Sequence, residues 1–342
     1  MSFFGSFSKK RVILFSVLSV FVGLTSFMSL SFAPYLLLTP VLLCLLYAGG
    51  GLLPVLIGSV VSCSTFSFFG GFMGALLAFL ALVLPALLTV AAIVQKVQYP
   101  TQLRVSVAGH VGGTLLMLVL ASALTGGQLI SMLVETVRYT VSAMPENFQD
   151  ALLILQYPEL SPSGALITLA SDVRAAHMED FFQQLNNQLS LQALPQLMQS
   201  SLLSAGLASY LPARALYRRG ELPDAAFQPL SRFHLSGQVT IGLLLTTLTG
   251  YLLNTVGVAG ADTAFITLYV ILEMIFTAQG LAAMDRMLCA SHRKTVYRVL
   301  LIGAVWLFIP DLVAVIGLCS ALFGRQGLLR KLQKGGPTNP NR

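Results

Sequence analysis

Charged residues are scarce in this chain of 342 residues, since only 10% are Asp, Glu, Lys or Arg while 56% are hydrophobic. Soluble domains usually contain about 25% charged residues. Too little charge is therefore available to solvate the surface of a water-soluble globule of this length. The composition predicts an integral membrane protein with many spans.

The motifs of common enzyme classes are missing as well: the chain has no HExxH, no GxSxG, no P-loop and no paired-cysteine metal motif. We therefore expect no enzymatic activity, no cofactor and no metal, and any ATP dependence must come from another chain. An intramembrane enzyme is a distant alternative. The cysteines lie in or beside apolar segments without paired spacing, which is typical of packed apolar residues; they are Cys44, Cys63, Cys289 and Cys319.

The N-terminus could be taken for a signal peptide, because Lys9, Lys10 and Arg11 precede an apolar run. That run covers residues 12–32 and exceeds the apolar core of about 7–15 residues that such peptides have. We therefore predict that it is retained as a first transmembrane helix.

Apolar segments separated by short connections fill most of the chain, and about 20 residues suffice to cross a bilayer. Over residues 1–125 they predict a five-span bundle, and over 195–330 a second bundle; residues 331–342 are predicted to be a disordered basic tail. Pro85 should kink the fourth segment. The predicted segments are 12–32, 35–48, 52–69, 72–94, 105–124, 195–217, 236–256, 263–285 and 299–323.

Residues 126–194 are much more polar and form a predicted helical insert. Apolar residues recur there every fourth position, as on one face of an amphipathic helix. We predict about two surface-lying helices outside the cytoplasm. The repeated positions are Leu129, Leu133, Val137 and Val141, and then Phe181, Leu185 and Leu189.

The basic residues predict the orientation, because cytoplasmic loops of membrane proteins are rich in Lys and Arg. With a cytoplasmic N-terminus, nearly all of them lie inside, and Arg138 and Arg174 of the acidic insert lie outside. The formal net charge of +7 thus reflects topology rather than binding to nucleic acid. A break at Pro310–Asp311 favours eight spans plus a C-terminal re-entrant hairpin, with nine plain spans as the alternative.

A basic hinge at residues 211–238 joins the apolar blocks of the second half. Its Arg-rich run, together with Tyr210, predicts contact with anionic head groups or with a cytoplasmic partner. Ser19 and Gly23 form a small-xxx-small pair that could dock another membrane helix or pack internally. The basic residues of the hinge are Arg214, Arg218, Arg219 and Arg232.

The second half resembles a known family. The run LPQLMQSSLLSAGLASYLPARALYRRG, then Leu222-Pro223 and Phe227, then FITLYVILEMIFTAQGLAAMDRML, is similar to the YybS-like family of bacterial multi-pass membrane proteins, which carry a domain of unknown function. Ser231-Arg232-Phe233 departs from that pattern. The family is distantly similar to the substrate-binding membrane subunits of energy-coupling-factor vitamin transporters, which implies a bundle of short helices able to hold a small molecule.

Glu273 is the strongest candidate residue. Placing an ionised carboxylate in the middle of a membrane span costs roughly 2.5–3.5 kcal/mol, so such a side chain should face a cavity or a partner. It predicts either a substrate or proton site or a Glu that holds helices together. Gln279 lies nearby on the same segment. Asp311, after Pro310, predicts either a polar contact at a helix break or an N-cap.

His110 and Asn254 complete the candidate substrate contacts. His110 stands among glycines at the start of a predicted span, where it either responds to pH or packs between helices. Asn254 is expected near the outer end of its span, where it either contacts a ligand or holds two helices together. A cluster of His177, Glu179 and Asp180 is best explained by a solvated helix face.

Two functions remain open. The first is a transport or small-molecule-binding component of the bacterial cytoplasmic membrane. The second is a membrane scaffold that docks other membrane proteins through its basic loops or its acidic insert. An ATPase or coupling subunit, a small-molecule ligand and the lipid bilayer are the expected partners.

Overall fold

A computed structural model describes residues 38–160, 168–290, 297, 300–302, 304–305 and 309–323. Every regular element in these ranges is a helix and none is a strand. This confirms the all-α fold, a multi-pass helical membrane protein, that the predicted transmembrane helices and helical insert imply. The predicted first span with Ser19 and Gly23, most of the basic loop around Arg293 and the basic tail lie outside the described residues.

The chain forms ten α-helices in the ranges given above. In chain order these helices are α1 Leu38–Gly50, α2 Leu52–Ala78, α3 Leu84–Val94, α4 Tyr99–Leu124, α5 Leu129–Ser142, α6 Glu146–Gln156, α7 Ser171–Arg218, α8 Gly237–Thr255, α9 Ala261–Ala290 and α10 Pro310–Phe323. A π-helical turn, Phe79–Val83, joins α2 to α3.

Local sequence explains the interruptions of the first helices. Gly71 has a φ of 58°, a left-handed conformation that residues with a β-carbon rarely adopt. It breaks α2 just after residue 69, where the third predicted segment ends. Pro85 lies just after the π-helical turn. A proline lacks the N–H of a regular helix, and a wider turn is one way in which a helix absorbs that defect.

Two predicted helix starts are wrong. Helix α4 begins at Tyr99 rather than at residue 105, so Arg104 lies within the helix and not in a loop. Pro100 in its first turn explains the early start, because its fixed φ suits the first helical positions. Helix α7 does not begin at Pro195 but runs for 48 residues through Pro195 and Pro212, since each proline removes only one bond of the helical ladder.

Three helical stretches in the described residues are long and apolar enough to cross a membrane: Gly70–Val94, Tyr99–Leu124 and Ala261–Leu288. Shorter apolar helices are Leu38–Gly50, Leu52–Phe68 and Asp311–Phe323. Leucines such as Leu245, Leu248 and Leu252 of α8 are exposed, as expected of a surface that faces lipid. The number of spans stays a prediction.

The chain divides into two compact units. One comprises residues 118–194, and the other comprises residues 1–117 together with 195–342. The boundaries fall within α4 and α7.

The unit 118–194 has a small core in which Val134, Val141 and Phe182 are buried. It contains α5, α6 and the first part of α7, so the prediction of about two helices is one too few. The predicted apolar face of α5 is also partly wrong, because Leu133 and Val137 are 50% and 37% exposed. Instead, Ile130 and Val134, one position C-terminal to Leu129 and Leu133, pack into the core.

An ion pair holds this unit together at Asp150, a buried carboxylate of α6. Arg174 of α7 donates from Nε to Oδ1 at 2.6 Å and from Nη2 to Oδ2 at 3.1 Å. The backbone N–H of Leu169 donates to the same carboxylate at 3.2 Å. The hydrogen bonds from Arg174 lower the pKa of Asp150 below its ordinary value, while burial opposes that shift.

Helix α10 begins at Pro310, so the break predicted there is present. Asp311 lies in the first turn of α10 rather than at the N-cap, because Pro310 is already helical. Its carboxylate there lies at the positive end of the helix dipole.

Candidate functional site

Helix α4 presents a buried polar row to its neighbours. Gln102, Ser106, His110 and Thr114 recur at intervals of four residues, which places them on one face of the helix. All four are buried although the helix is apolar enough to span a membrane. Polar side chains in such a setting are costly unless they are bonded or functional.

Hydrogen bonds link this row to α7. Thr114 Oγ1 lies 2.7 Å from Ser201 Oγ. Ser106 Oγ donates to the Ala205 carbonyl oxygen at 2.9 Å, and Gln102 Nε2 donates to the Ser209 carbonyl oxygen at 3.1 Å. The three contacts fasten residues 102–114 of α4 to residues 201–209 of α7.

Helix α3 joins the same arrangement through Thr89. Its Oγ1 lies 2.9 Å from the Pro85 carbonyl oxygen and 2.9 Å from Ser106 Oγ. We call the combined set the polar seam; it consists of Thr89, Gln102, Ser106, His110, Thr114 and Ser201.

Two acceptor atoms of the polar seam have no hydrogen-bond partner among the described residues: His110 Nε2 and Gln102 Oε1. His110 is 2% exposed and Gln102 is fully buried. His110 Nδ1 lies 2.8 Å from the Ser106 carbonyl oxygen and must carry a proton there, so Nε2 of the neutral ring is an acceptor. An unsatisfied buried acceptor costs about 1–3 kcal/mol, so these two atoms suit an N–H or O–H donor.

The backbone near the seam is unusual. Gly113 packs against the Leu80 carbonyl oxygen within the π-helical turn, and a β-carbon there would lie 3.0 Å from Pro85 Cγ. Isolated π-helical turns are frequent at functional sites. His110 also lies in the middle of α4 and not near its start, because the helix begins earlier than predicted.

Gln279 of α9 belongs to a different network. Its Oε1 accepts from the Leu235 backbone N–H at 3.1 Å, and its Nε2 donates to Ser320 Oγ of α10 at 3.2 Å. Arg286 donates to the same Ser320 Oγ at 3.1 Å and to the Phe233 carbonyl oxygen at 2.8 Å. These contacts tie the hinge to α9 and α10, a structural arrangement that satisfies both polar atoms of Gln279.

The other predicted substrate contacts do not join the seam. Glu273 is half-buried on α9 and has no hydrogen bond or ion pair within the described part of the chain. Asn254 is half-buried at the end of α8, and Asp311 is exposed on α10. Of the five predicted contacts, only His110 lies in the polar seam.

The basic hinge is folded onto the helices. Phe227 lies among the rings of Tyr99, Tyr210 and Tyr217, with centroid distances of 6.4, 5.7 and 4.8 Å. Arg219 donates to the Ala48 carbonyl oxygen in the last turn of α1, and the Arg214 guanidinium lies 5.9 Å from the Tyr210 ring centroid. Arg218 and Arg232 are exposed.

The sequence predictions missed Gln102, Ser106, Thr114 and their partners on α3 and α7. The four-residue spacing of Gln, Ser, His and Thr on an apolar segment is a signal that could have found the first three. The partners Ser201 and Thr89 have no comparable local signal.

Apolar helices of spanning length, lipid-facing leucines and a buried polar seam define an integral membrane protein of the multi-helical type. Residues 12–319 match the family described as predicted membrane protein (DUF2232), and the chain belongs to that family. This membership agrees with the resemblance to YybS-like membrane proteins. No curated protein and no solved structure matches the chain.

Proposed function

We propose that this chain is a transport component that binds a small molecule at the polar seam. The observation that carries the proposal is the pair of buried, unpartnered acceptors, His110 Nε2 and Gln102 Oε1, on one face of α4. Helix-to-helix adhesion accounts for the hydroxyl groups of the seam, each of which is bonded, but it leaves these two atoms unexplained.

The chemistry of the seam defines the class of ligand. Both free atoms are acceptors, so the ligand presents N–H or O–H groups to them. No Asp, Glu, Lys or Arg belongs to the seam and its one histidine, His110, is in the neutral form, so a neutral molecule fits it better than an ion. In surroundings of low dielectric each hydrogen bond is stronger than in water.

The wider setting is part of the same proposal. The segregation of basic residues supports a bacterial cytoplasmic membrane protein with its N-terminus inside and the acidic unit outside. The distant likeness to energy-coupling-factor subunits supports a separate ATPase or coupling subunit as a partner. The proposal includes no chemical conversion, and it assigns no cofactor and no metal.

Native mass spectrometry of the chain in nanodiscs prepared without detergent washing tests the proposal. We expect a stoichiometric small molecule with the wild type and its loss in His110→Asn. Asn can still donate to the Ser106 carbonyl oxygen as Nδ1 does, but it lacks an acceptor at the position of Nε2. Thr246→Val is the matched control, because Thr246 is exposed on α8.

Two outcomes contradict the proposal. One is the absence of any bound small molecule in the wild type, and the other is equal retention in His110→Asn. If protein partners co-purify without a small molecule, the scaffold function is favoured, with the exposed Arg218 and Arg232 as the first contacts to examine.

A further inference from the structure

The unit 118–194 contains a cleft of about 350 Å³ between α5 and the first part of α7. Ligand pockets typically measure about 300–1,000 Å³, so this cleft is large enough for a small molecule. It lies in a different part of the chain from the polar seam and does not depend on the function proposed above. Its lining residues are Ser131, Val134, Glu135, Arg138, Phe182, Gln183, Asn186 and Asn187.

The spacing of these residues shows two facing helix surfaces. On α5 they occur at relative positions 0, 3, 4 and 7, and on α7 at relative positions 0, 1, 4 and 5, where three of the four are amides: Gln183, Asn186 and Asn187. Side chains three and four residues apart lie together on a helix. Each amide offers both donors and an acceptor, which suits hydroxyl, carbonyl or amide groups of a ligand.

Arg138 and the two carboxylates that it contacts, Glu135 and Glu179, carry a net negative charge. Arg138 binds Glu179 through both terminal nitrogens, at 2.8 and 3.3 Å, and its guanidinium carbon lies 4.8 Å from the centroid of the Phe182 ring. Glu135 reaches the same arginine only at Nε, at 3.4 Å, and its side chain is 66% exposed. One arginine thus compensates two carboxylates, and Glu135 retains the less compensated charge.

We propose that this cleft binds a small polar molecule that carries a primary ammonium group. Glu135 pairs with the ammonium group through a charge-assisted hydrogen bond. Asn186, Asn187 and Gln183 bind the hydroxyl or carbonyl groups of the same molecule. Arg138 is held in place by Glu179 and Phe182, so it positions Glu135 rather than binding the ligand.

Isothermal titration of the full chain in nanodiscs with two matched pairs of probes tests this assignment. Glucosamine is compared with glucose, and ethanolamine with ethylene glycol, because in each pair the first molecule carries an ammonium group where the second carries a hydroxyl group. We expect at least one amine to bind, and its neutral counterpart to bind roughly tenfold more weakly or not at all. Glu135→Gln should weaken amine binding by a similar factor.

The matched control is Glu159→Gln, which removes one acidic charge from an exposed position of the same unit outside the cleft. It should leave amine binding unchanged, and so should His110→Asn, which alters only the polar seam. The assignment is overturned if neither amine binds, if the neutral probes bind equally well, or if Glu159→Gln weakens binding as much as Glu135→Gln does.

Discussion

Gly280 of α9 and Gly317 of α10 meet at the crossing of their helices. A β-carbon on Gly317 would lie 2.8 Å from the backbone nitrogen of Gly280 and would overlap the Phe276 carbonyl oxygen. A β-carbon on Gly280 would overlap the Val313 carbonyl oxygen in the same way. The two backbones are therefore in direct contact, which is how small residues drive helix association in membranes.

Alanine at this crossing should destabilise the protein. Gly317→Ala forces the α10 backbone away from α9, and we expect a loss of about 1–3 kcal/mol, as for overpacking of a tight interface. Thermal unfolding in detergent measures the effect. Gly242→Ala on α8 is the control, because no atom lies within 4 Å of the position that a β-carbon would take there and alanine favours helices. Equal melting temperatures for Gly317→Ala and the wild type would contradict the close contact.

The ion pair of Asp150 and Arg174 predicts an acid-sensitive unit. The folded pKa of Asp150 is lowered below the unfolded value of about 3.9, so this contribution to stability is present above that value and disappears as the pH falls through the folded pKa. Asp150→Asn should lower stability at neutral pH and lose this part of the acid dependence. Limited proteolysis of the unit over an acid series measures both effects.

Asp180→Asn is the control for that experiment, because Asp180 is an exposed acid on α7 of the same unit. It should behave as the wild type does. An unchanged acid dependence in Asp150→Asn would show that the ion pair does not stabilise the unit.

The ring cluster around Phe227 predicts a hinge that resists proteases. Phe227→Ala removes the contacts with Tyr99, Tyr210 and Tyr217, so trypsin should cut more rapidly after the exposed Arg218 and Arg232. Phe233→Ala serves as the control, since no contact between its ring and another ring is found in the described ranges. Equal cleavage rates for the two variants would mean that the ring cluster does not hold the hinge.

Features that depend on one residue could be predicted from sequence. Gly71 marks a helix break because glycine permits left-handed backbone angles. Pro310 marks a helix start because proline fixes φ and lacks the N–H that a helix interior needs. Composition predicted an integral membrane protein, and apolar segments of spanning length predicted that it is helical. The early start of α4 was missed because the fifth predicted segment was begun only after the charged Arg104. A long charged side chain can reach polar surroundings from within a helix, so Arg104 does not mark a helix end.

The polar seam could not be predicted in full, because its partners are distant in sequence. Ser106 and Ala205 are 99 residues apart along the chain, and no local pattern shows which carbonyl oxygen Ser106 will reach. His110 was a candidate, but its unpartnered Nε2 became visible only when α3, α4 and α7 were placed together. Likewise, packing against α7 determines which face of α5 is buried. The four-residue spacing alone predicted a face that is partly exposed.

A cryo-EM structure of the unwashed protein with a bound antibody fragment shows whether the polar seam holds a ligand. The decisive observation is what lies within hydrogen-bond distance of His110 Nε2 and Gln102 Oε1. We predict density larger than a water molecule that donates to both atoms and is absent in His110→Asn. A lone water molecule or a protein donor bonded to each atom would contradict ligand binding at the seam and leave the seam as a helix-packing element.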